Sequence, residues 1–231
     1  SSDLASLFSN TTGGYNTAVG HSALNANTTA NYNTAVGYQA GYANQTGTKI
    51  TAVGYQALRF NTASYISAFG TESLYNNTTG TLNTGLGRDT LFANTTGSYN
   101  TAVGQSALEN NTTASYNTAV GYQAGYSNTT GGLNTYIGLQ AGYANAVYFG
   151  NTGVGSLALY NNTGSSNTAV GGNNNVTEAA LQSNTTGAYN TAIGVSALGK
   201  NTTASNNTAV GYQAGYTNTT GTNNVAIGYQ A

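Results

Sequence analysis

The sequence predicts an all-β fold, a parallel β-solenoid (β-roll) of about thirteen coils of 17 residues. Three observations support this prediction. A short motif recurs at a nearly constant spacing, each position of the repeat keeps a constant character, and no segment has the 3.6-residue period of a helix. One repeat carries too little apolar surface to fold alone, so repeats must stack to form a shared core. We expect residues 1–231 to form a single repeat domain.

The motif Asn-Thr-Ala-Val-Gly marks each coil, and its last residue is called the marker glycine here. Marker glycines are 17 residues apart in most coils, 16 apart in two coils and 23 apart in one. They are Gly20, Gly37, Gly54, Gly70, Gly87, Gly104, Gly121, Gly138, Gly155, Gly171, Gly194, Gly211 and Gly228. The longest spacing is a normal coil plus six residues. We expect the extra residues, within 172–179, to bulge outward without interrupting the stack.

Several columns of equivalent residues predict which side chains face inward. The residue before the marker glycine, called the valine column, is never polar and is expected to face the core. The alanine column, four residues later, is always small and is expected to pack tightly inside. The residue directly after the marker glycine varies freely, which indicates an outward position. Asparagines before the strand motif are expected to stack as a ladder: Asn16, Asn33, Asn83, Asn100, Asn117, Asn134, Asn151, Asn167, Asn190, Asn207 and Asn224.

The sequence also repeats with a longer period, which spans several coils. Residues 16–99 align with 100–189, and 190–231 begin a third, partial copy. The sequence therefore predicts super-modules of five coils. We expect the chain to be part of a longer or end-to-end assembled rod.

Asn-x-Thr sequons recur at about the same point of the coil. They begin at Asn10, Asn27, Asn44, Asn77, Asn94, Asn111, Asn128, Asn161, Asn184, Asn201 and Asn218. One interpretation is a column of N-glycan acceptors in a surface turn, which would make the chain a glycoprotein. The other is that Asn, Thr and Gly are simply good turn residues. Tyrosines beside glycines, as at Tyr42, leave two interpretations open as well: an aromatic stripe that stacks on sugars, or a cover for the neighbouring backbone.

The third coil of each complete super-module lacks the sequon and becomes apolar. The apolar residues are Tyr65 and Ile66 in one coil and Tyr148 and Phe149 in the other. Exposed apolar patches usually mark contacts. These four residues are therefore predicted to form lateral or inter-subunit contacts, although they could instead fill a local gap in the core.

The composition restricts the function classes. Charged residues are 4% of the chain, its net charge is −1, and it contains no Cys, so neither nucleic-acid attraction nor thiolate metal sites are expected. No apolar run approaches the ~20 residues of a membrane-spanning helix, so no membrane insertion is expected. The charges look scattered, and no two carboxylates share a motif. A catalytic site needs converging groups, so we expect neither an enzyme nor a cofactor.

The string Asn224-Val225-Ala226-Ile227-Gly228 resembles the head repeat of YadA-like trimeric autotransporter adhesins. The fuller repeat N-T-A-V-G-Y-Q-A-L…N-T-T-G is similar to repeats of phage and bacterial tail-fibre proteins. The resemblance covers nearly the whole chain. It implies a left-handed parallel β-roll, usually trimeric, on a surface-exposed binding fibre.

The expected function is therefore a structural surface fibre or adhesin shaft, extracellular or on a cell or virion surface. It would assemble with itself as a trimer or filament and bind through a repeated surface, with host-surface glycans as candidate partners. The alternative is an ice-binding β-solenoid, for which regular threonine columns on an uncharged face are typical. The threonine pairs of the motif Asn-Thr-Thr-Gly lie in a turn, which argues against the alternative.

Overall fold

The structure, a computed structural model, describes residues 5–173 and 177–231, and among them every regular element is a short β-strand. The described residues form no helix that could cross a membrane. The chain divides into two compact units, Ser1–Ser115 and Tyr116–Ala231. The five-coil super-modules remain a prediction from the sequence.

The first unit contains six strands of three residues, one per coil. They are β1 (Thr17–Val19), β2 (Thr34–Val36), β3 (Thr51–Val53), β4 (Ser67–Phe69), β5 (Thr84–Leu86) and β6 (Thr101–Val103). Each strand pairs in parallel with the next, and equivalent residues align, as Thr17 does with Thr34 and Ala18 with Ala35. The predicted parallel β-solenoid with a 17-residue repeat is confirmed in this unit.

The second unit repeats this arrangement with seven strands. They are β7 (Thr118–Val120), β8 (Thr135–Ile137), β9 (Thr152–Val154), β10 (Thr168–Val170), β11 (Thr191–Ile193), β12 (Thr208–Val210) and β13 (Val225–Ile227). Strands β10 and β11 stay in register although the longest marker spacing separates them. The six extra residues therefore leave the stack intact, as predicted. Residues 174–176 within this segment lie outside the described residues.

The direction of the valine column differs from the prediction. Side chains alternate along a strand, and it is the middle residue of each strand that faces inward: Ala35, Ala52 and Ala102 are fully buried. The valine column therefore points outward, and Val19 is 57% exposed. The narrow core accommodates alanine at this position. The expectation that the valine column faces the core is wrong.

The predicted burial of the alanine column is confirmed, as at Ala23 and Ala57. The leucine that follows it, for which the sequence made no prediction, is buried as well, as at Leu24 and Leu58. These leucines have positive φ angles, 48° at Leu24 and 53° at Leu58. The coil that contains Leu24 has further left-handed residues at Ser22 and Tyr32, which bend the chain, and the burial of the leucine offsets the conformational cost at its own position.

Marker glycines stack backbone against backbone. Gly37 has φ +138°, and a Cβ there would overlap the carbonyl of Gly54 in the next coil. Both the backbone conformation and the close approach therefore exclude a side chain.

The asparagine ladder is present. The side-chain carbonyl of Asn83 accepts the backbone N–H of Asn100 at 2.9 Å, and the same contact joins Asn134 to Asn151. The amide nitrogen of Asn100 donates to the carbonyl of Ala114 at 2.8 Å. The ladder thus provides hydrogen-bond partners for backbone N–H and C=O groups that lie outside the strand pairing, as buried polar groups require.

Candidate functional surface

The outward face of the strands, called the strand face here, is formed by the first and third residue of every strand. The third residue is Val, Ile, Leu or Phe in all thirteen coils, and it is exposed or half-buried: Leu86 is 49% exposed and Ile193 is 41% exposed. The first residue is Thr in eleven coils, with Ser67 and Val225 as the exceptions. No strand contributes a charged residue to this face.

The geometry of the strand face is regular within each unit. Strands lie ~4.8 Å apart, and the two outward residues of one strand lie ~6.8 Å apart. Each unit therefore presents a hydroxyl column beside an apolar column, both with the period of the coils. Such a surface suits a partner with the same period.

A second outward column carries stacked aromatic rings. The ring of Tyr38 stacks between His21 and Tyr55, with centroid distances of 5.2 and 5.3 Å. This confirms that the residue after the marker glycine faces outward. Tyrosines beside glycines are half-buried and also stack, as Tyr126 and Tyr143 do at 5.2 Å. Their partial burial fits a cover for the backbone, and sugar stacking on them stays a prediction.

Most sequon asparagines are not in an accessible turn. Eight of the eleven are fully buried: Asn27, Asn44, Asn77, Asn94, Asn111, Asn128, Asn184 and Asn201. The amide nitrogen of Asn94, the atom to which an N-glycan attaches, donates to Asn77 Oδ1 at 2.7 Å and to the carbonyl of Gly97 at 3.0 Å. The expected surface position is therefore wrong for these eight, whose amides form a second buried ladder.

The other three sequons differ. Asn10 and Asn218 are half-buried at the same position of the coil. Asn161 is exposed because its coil is one residue shorter and Asn162 takes the buried position. The amide of Asn184 donates to Asn162 Oδ1 at 2.6 Å, which confirms that Asn162 belongs to the ladder.

The four predicted contact residues differ in their exposure to solvent. Tyr65 and Phe149 are exposed by 52% and 51%, whereas Tyr148 is half-buried. Ile66 is 1% exposed because it occupies a position of the asparagine ladder inside the core, so its predicted contact with another chain is wrong. Contacts of the other three residues with a neighbouring chain stay a prediction.

The fold brings together charges that looked scattered in the sequence. One surface cavity of about 210 Å³ in the first unit is lined by Glu72, Arg88, Asp89, Phe92 and Glu109. Arg88 Nε lies 2.8 Å from Asp89 Oδ2. Glu72 and Asp89 both follow a marker glycine by two residues, so the same position of the coil carries an acid twice, contrary to the expectation. Among the described residues no group of His, Asp or Glu could hold a metal ion.

Comparison of the chain with protein-family models, curated proteins and solved structures gave no match. The strand face is therefore the surface from which a function can be proposed. Sequence reasoning missed this face, although the alternation of Thr, Ala and Val in a three-residue strand was the signal that could have located it.

Proposed function

We propose that the chain is the shaft of a surface fibre or adhesin, outside the cell or on a virion, and that copies of it assemble through the strand face. One observation carries the proposal: a column that is exposed or half-buried in every coil remains apolar in all thirteen coils. Strand propensity favours Val and Ile at this position but would equally admit Thr or Tyr, and the outward column after the marker glycine does contain polar residues. Contiguous exposed apolar surface is typical of contacts.

A second copy of the chain is the partner that fits this face best. Its strand face has the same period, so the coils of two parallel copies can align one to one. The face carries no charge and the chain has a net charge of −1, so self-association meets little electrostatic repulsion. A trimer or a lateral filament would satisfy the same contacts.

The test is sedimentation velocity over a range of concentrations. One variant carries Val36→Asp and Leu86→Asp on the strand face, and a matched control carries Thr71→Asp and Gln105→Asp in the variable outward column, which adds the same charge. We expect the wild type and the control to assemble and the strand-face variant to stay monomeric with an unchanged β-sheet circular dichroism spectrum. A monomeric wild type, or a strand-face variant that assembles normally, contradicts the proposal.

Ice binding is the second candidate, because a threonine column occupies the outward strand position as well as the turn. Stacked threonines thus lie on a strand as well as in the turn, so the position of the turn pairs does not exclude ice binding. The valine column favours the fibre, because Phe69 and Leu86 differ in length from valine and roughen a face that should match a flat lattice. An ice-recrystallisation assay distinguishes the two: inhibition by the wild type that Thr84→Lys and Thr101→Lys abolish would favour ice.

A further inference from the structure

A recess of about 470 Å³ opens in the first unit between two neighbouring coils. Its walls are residues 62–65 from one coil and Thr79, Thr81 and Leu82 from the next. This volume lies within the range of small-molecule sites, roughly 300–1,000 Å³. The recess is at the turn and at the column before the strands, so it is separate from the strand face.

A one-residue deletion builds the recess. In the shortened turn the amide of Asn61 donates to the carbonyl of Ala63, two residues later, whereas Asn77 in the next coil donates to Gly80, three residues later. In that next turn the N–H groups of both Thr78 and Thr79 donate to the carbonyl of Thr95. The shortened turn lacks the residue that corresponds to Thr79. This leaves open space above the longer turn.

The walls combine an aromatic ring with hydroxyl groups. The ring of Tyr65 is 52% exposed, and Lys49 Nζ lies 5.0 Å from its centroid and 3.4 Å from its hydroxyl. The cation therefore restrains the orientation of the ring. Leu82, one coil later in the same column, is 46% exposed and extends the apolar wall.

The hydroxyl groups lie on the polar side of the recess. Thr62 Oγ1 donates to the carbonyl of Thr78 at 2.9 Å, and Ser64 Oγ accepts the N–H of Thr48 at 2.9 Å. These bonds fix the two side chains and leave further hydrogen-bonding capacity on each oxygen. Thr79 and Thr81 supply two more hydroxyls, and no charged side chain lines the recess.

We propose that the recess binds one pyranose unit of a glycan. A pyranose has an apolar face of C–H groups, which fits the Tyr65 ring and Leu82, and a rim of hydroxyls, which fits Thr62, Ser64, Thr79 and Thr81. No charged side chain lines the recess, and Lys49 touches it only through the Tyr65 ring, so the recess suits a neutral sugar. This places a specific sugar site at a defined coil of the shaft.

The experiment is saturation-transfer difference NMR with the methyl glycosides of glucose, galactose, mannose and N-acetylglucosamine, each titrated at millimolar concentration. Tyr65→Ala removes the aromatic wall. Insertion of one Thr between Thr62 and Ala63 restores the common turn Asn-Thr-Thr-Ala and should fill the recess while keeping the fold. Tyr189→Ala is the matched control, because Tyr189 is exposed in the same column beside a full-length turn.

We expect at least one glycoside to bind the wild type and Tyr189→Ala equally, and both the Tyr65→Ala and the insertion variants to bind it roughly tenfold more weakly or not at all. Absence of binding to the wild type, or binding that both variants retain, overturns the proposal. Circular dichroism melting of each variant verifies its fold. Sedimentation of the same samples tests self-assembly separately, because these variants leave the strand face intact.

Discussion

The side-chain amide of Asn145 donates a 2.6 Å hydrogen bond to the hydroxyl of Tyr136 inside the second unit. Tyr136 is fully buried at the middle position of β8, where most strands have alanine. Its ring fits because Gly142 and Gly153 lie against it: a Cβ on Gly142 would overlap the ring, and one on Gly153 would lie 3.3 Å from it. The tyrosine ring therefore packs at this position only because the two neighbouring positions are glycines.

This coupling predicts a double-mutant result. Gly142→Leu alone should destabilise the protein strongly because the side chain collides with the Tyr136 ring, and Tyr136→Ala alone should cost about 3–5 kcal/mol through the cavity it leaves. Together the two changes restore the alanine and leucine of other coils, with Gly142 already at φ +62°. Urea unfolding of the four proteins should show the double variant more stable than either single variant. Additive losses would contradict the coupling.

Alkaline pH should weaken the second unit through the same tyrosine. Burial raises the pKa of the Tyr136 phenol above its ordinary value of 10.0. The folded state thus holds the proton more tightly than the unfolded state, so stability is full below pH 10 and falls as the pH rises above it. The measurement is the urea midpoint from pH 8 to 11 for wild type and Tyr136→Phe. The variant should lose less stability over this range, and parallel curves would refute the assignment.

The buried sequon ladder makes a testable distinction between two asparagines. Asn94→Asp should cost several kcal/mol at neutral pH, because a buried carboxylate would face Asn77 Oδ1 and the carbonyl of Gly97, which are both acceptors. Asn161→Asp, at an exposed position, should change stability by about 0.5 kcal/mol or less. Denaturant unfolding compares them. Equal stability of the two variants would show that the ladder does not hold the turn together.

Glycan occupancy should follow accessibility. If the chain is secreted from a cell that attaches N-glycans, we expect Asn161 to carry one and Asn94 to carry none, because only the Asn161 side chain is exposed. Mass spectrometry of peptides from the folded, secreted protein gives the occupancy of each site. A glycan on Asn94 in folded protein would contradict its burial.

The sequence predicted the columns that depend on size alone. Ala23 follows a rule that any narrow stacked core imposes, and Asn83 and Asn100 align because the period places one above the other. The direction of the valine column could not be read from its apolar character, because a core and a self-associating surface select the same residues. Whether the valine points inward depends on which of the three strand residues faces the core, and in this protein the middle residue, usually alanine, faces it.

The candidate sugar site could not be located from the sequence, for a different reason. A marker spacing of 16 residues reveals a deletion, but not which wall of the coil it opens. Ile66 looked like an exposed partner of Tyr65, yet it lies inside the core because it occupies a position of the asparagine ladder. Glu72 and Asp89 could have been aligned by their distance from the marker glycine. The sequence does not show, however, that Arg88 and Glu109 lie beside them, because the stacking of the coils brings these residues together.

The six extra residues after Gly171 should be dispensable. The N–H of Ala180 donates to the carbonyl of Gly171 at 2.9 Å, as Ala197 does to Gly194 at 3.1 Å in a normal coil, so the usual turn closes across the longer segment. We expect replacement of residues 172–179 by Tyr-Gln, the pair found at Tyr212 and Gln213, to change stability by no more than about 1 kcal/mol. The shorter loop gains about 1 kcal/mol of closure entropy.

The replacement also removes a stabilising contact. Ser196 Oγ donates to the carbonyl of Glu178 at 2.6 Å, and loss of this bond costs about 1 kcal/mol, which offsets the gain in entropy. Deletion of residues 212–217 is the control: it also removes six residues and a buried alanine, Ala214, as the replacement removes Ala179, but unlike the replacement it shifts the later coil out of register. Thermal melting should separate the two variants clearly. If replacing 172–179 is as damaging as the control, the segment belongs to the core of the second unit.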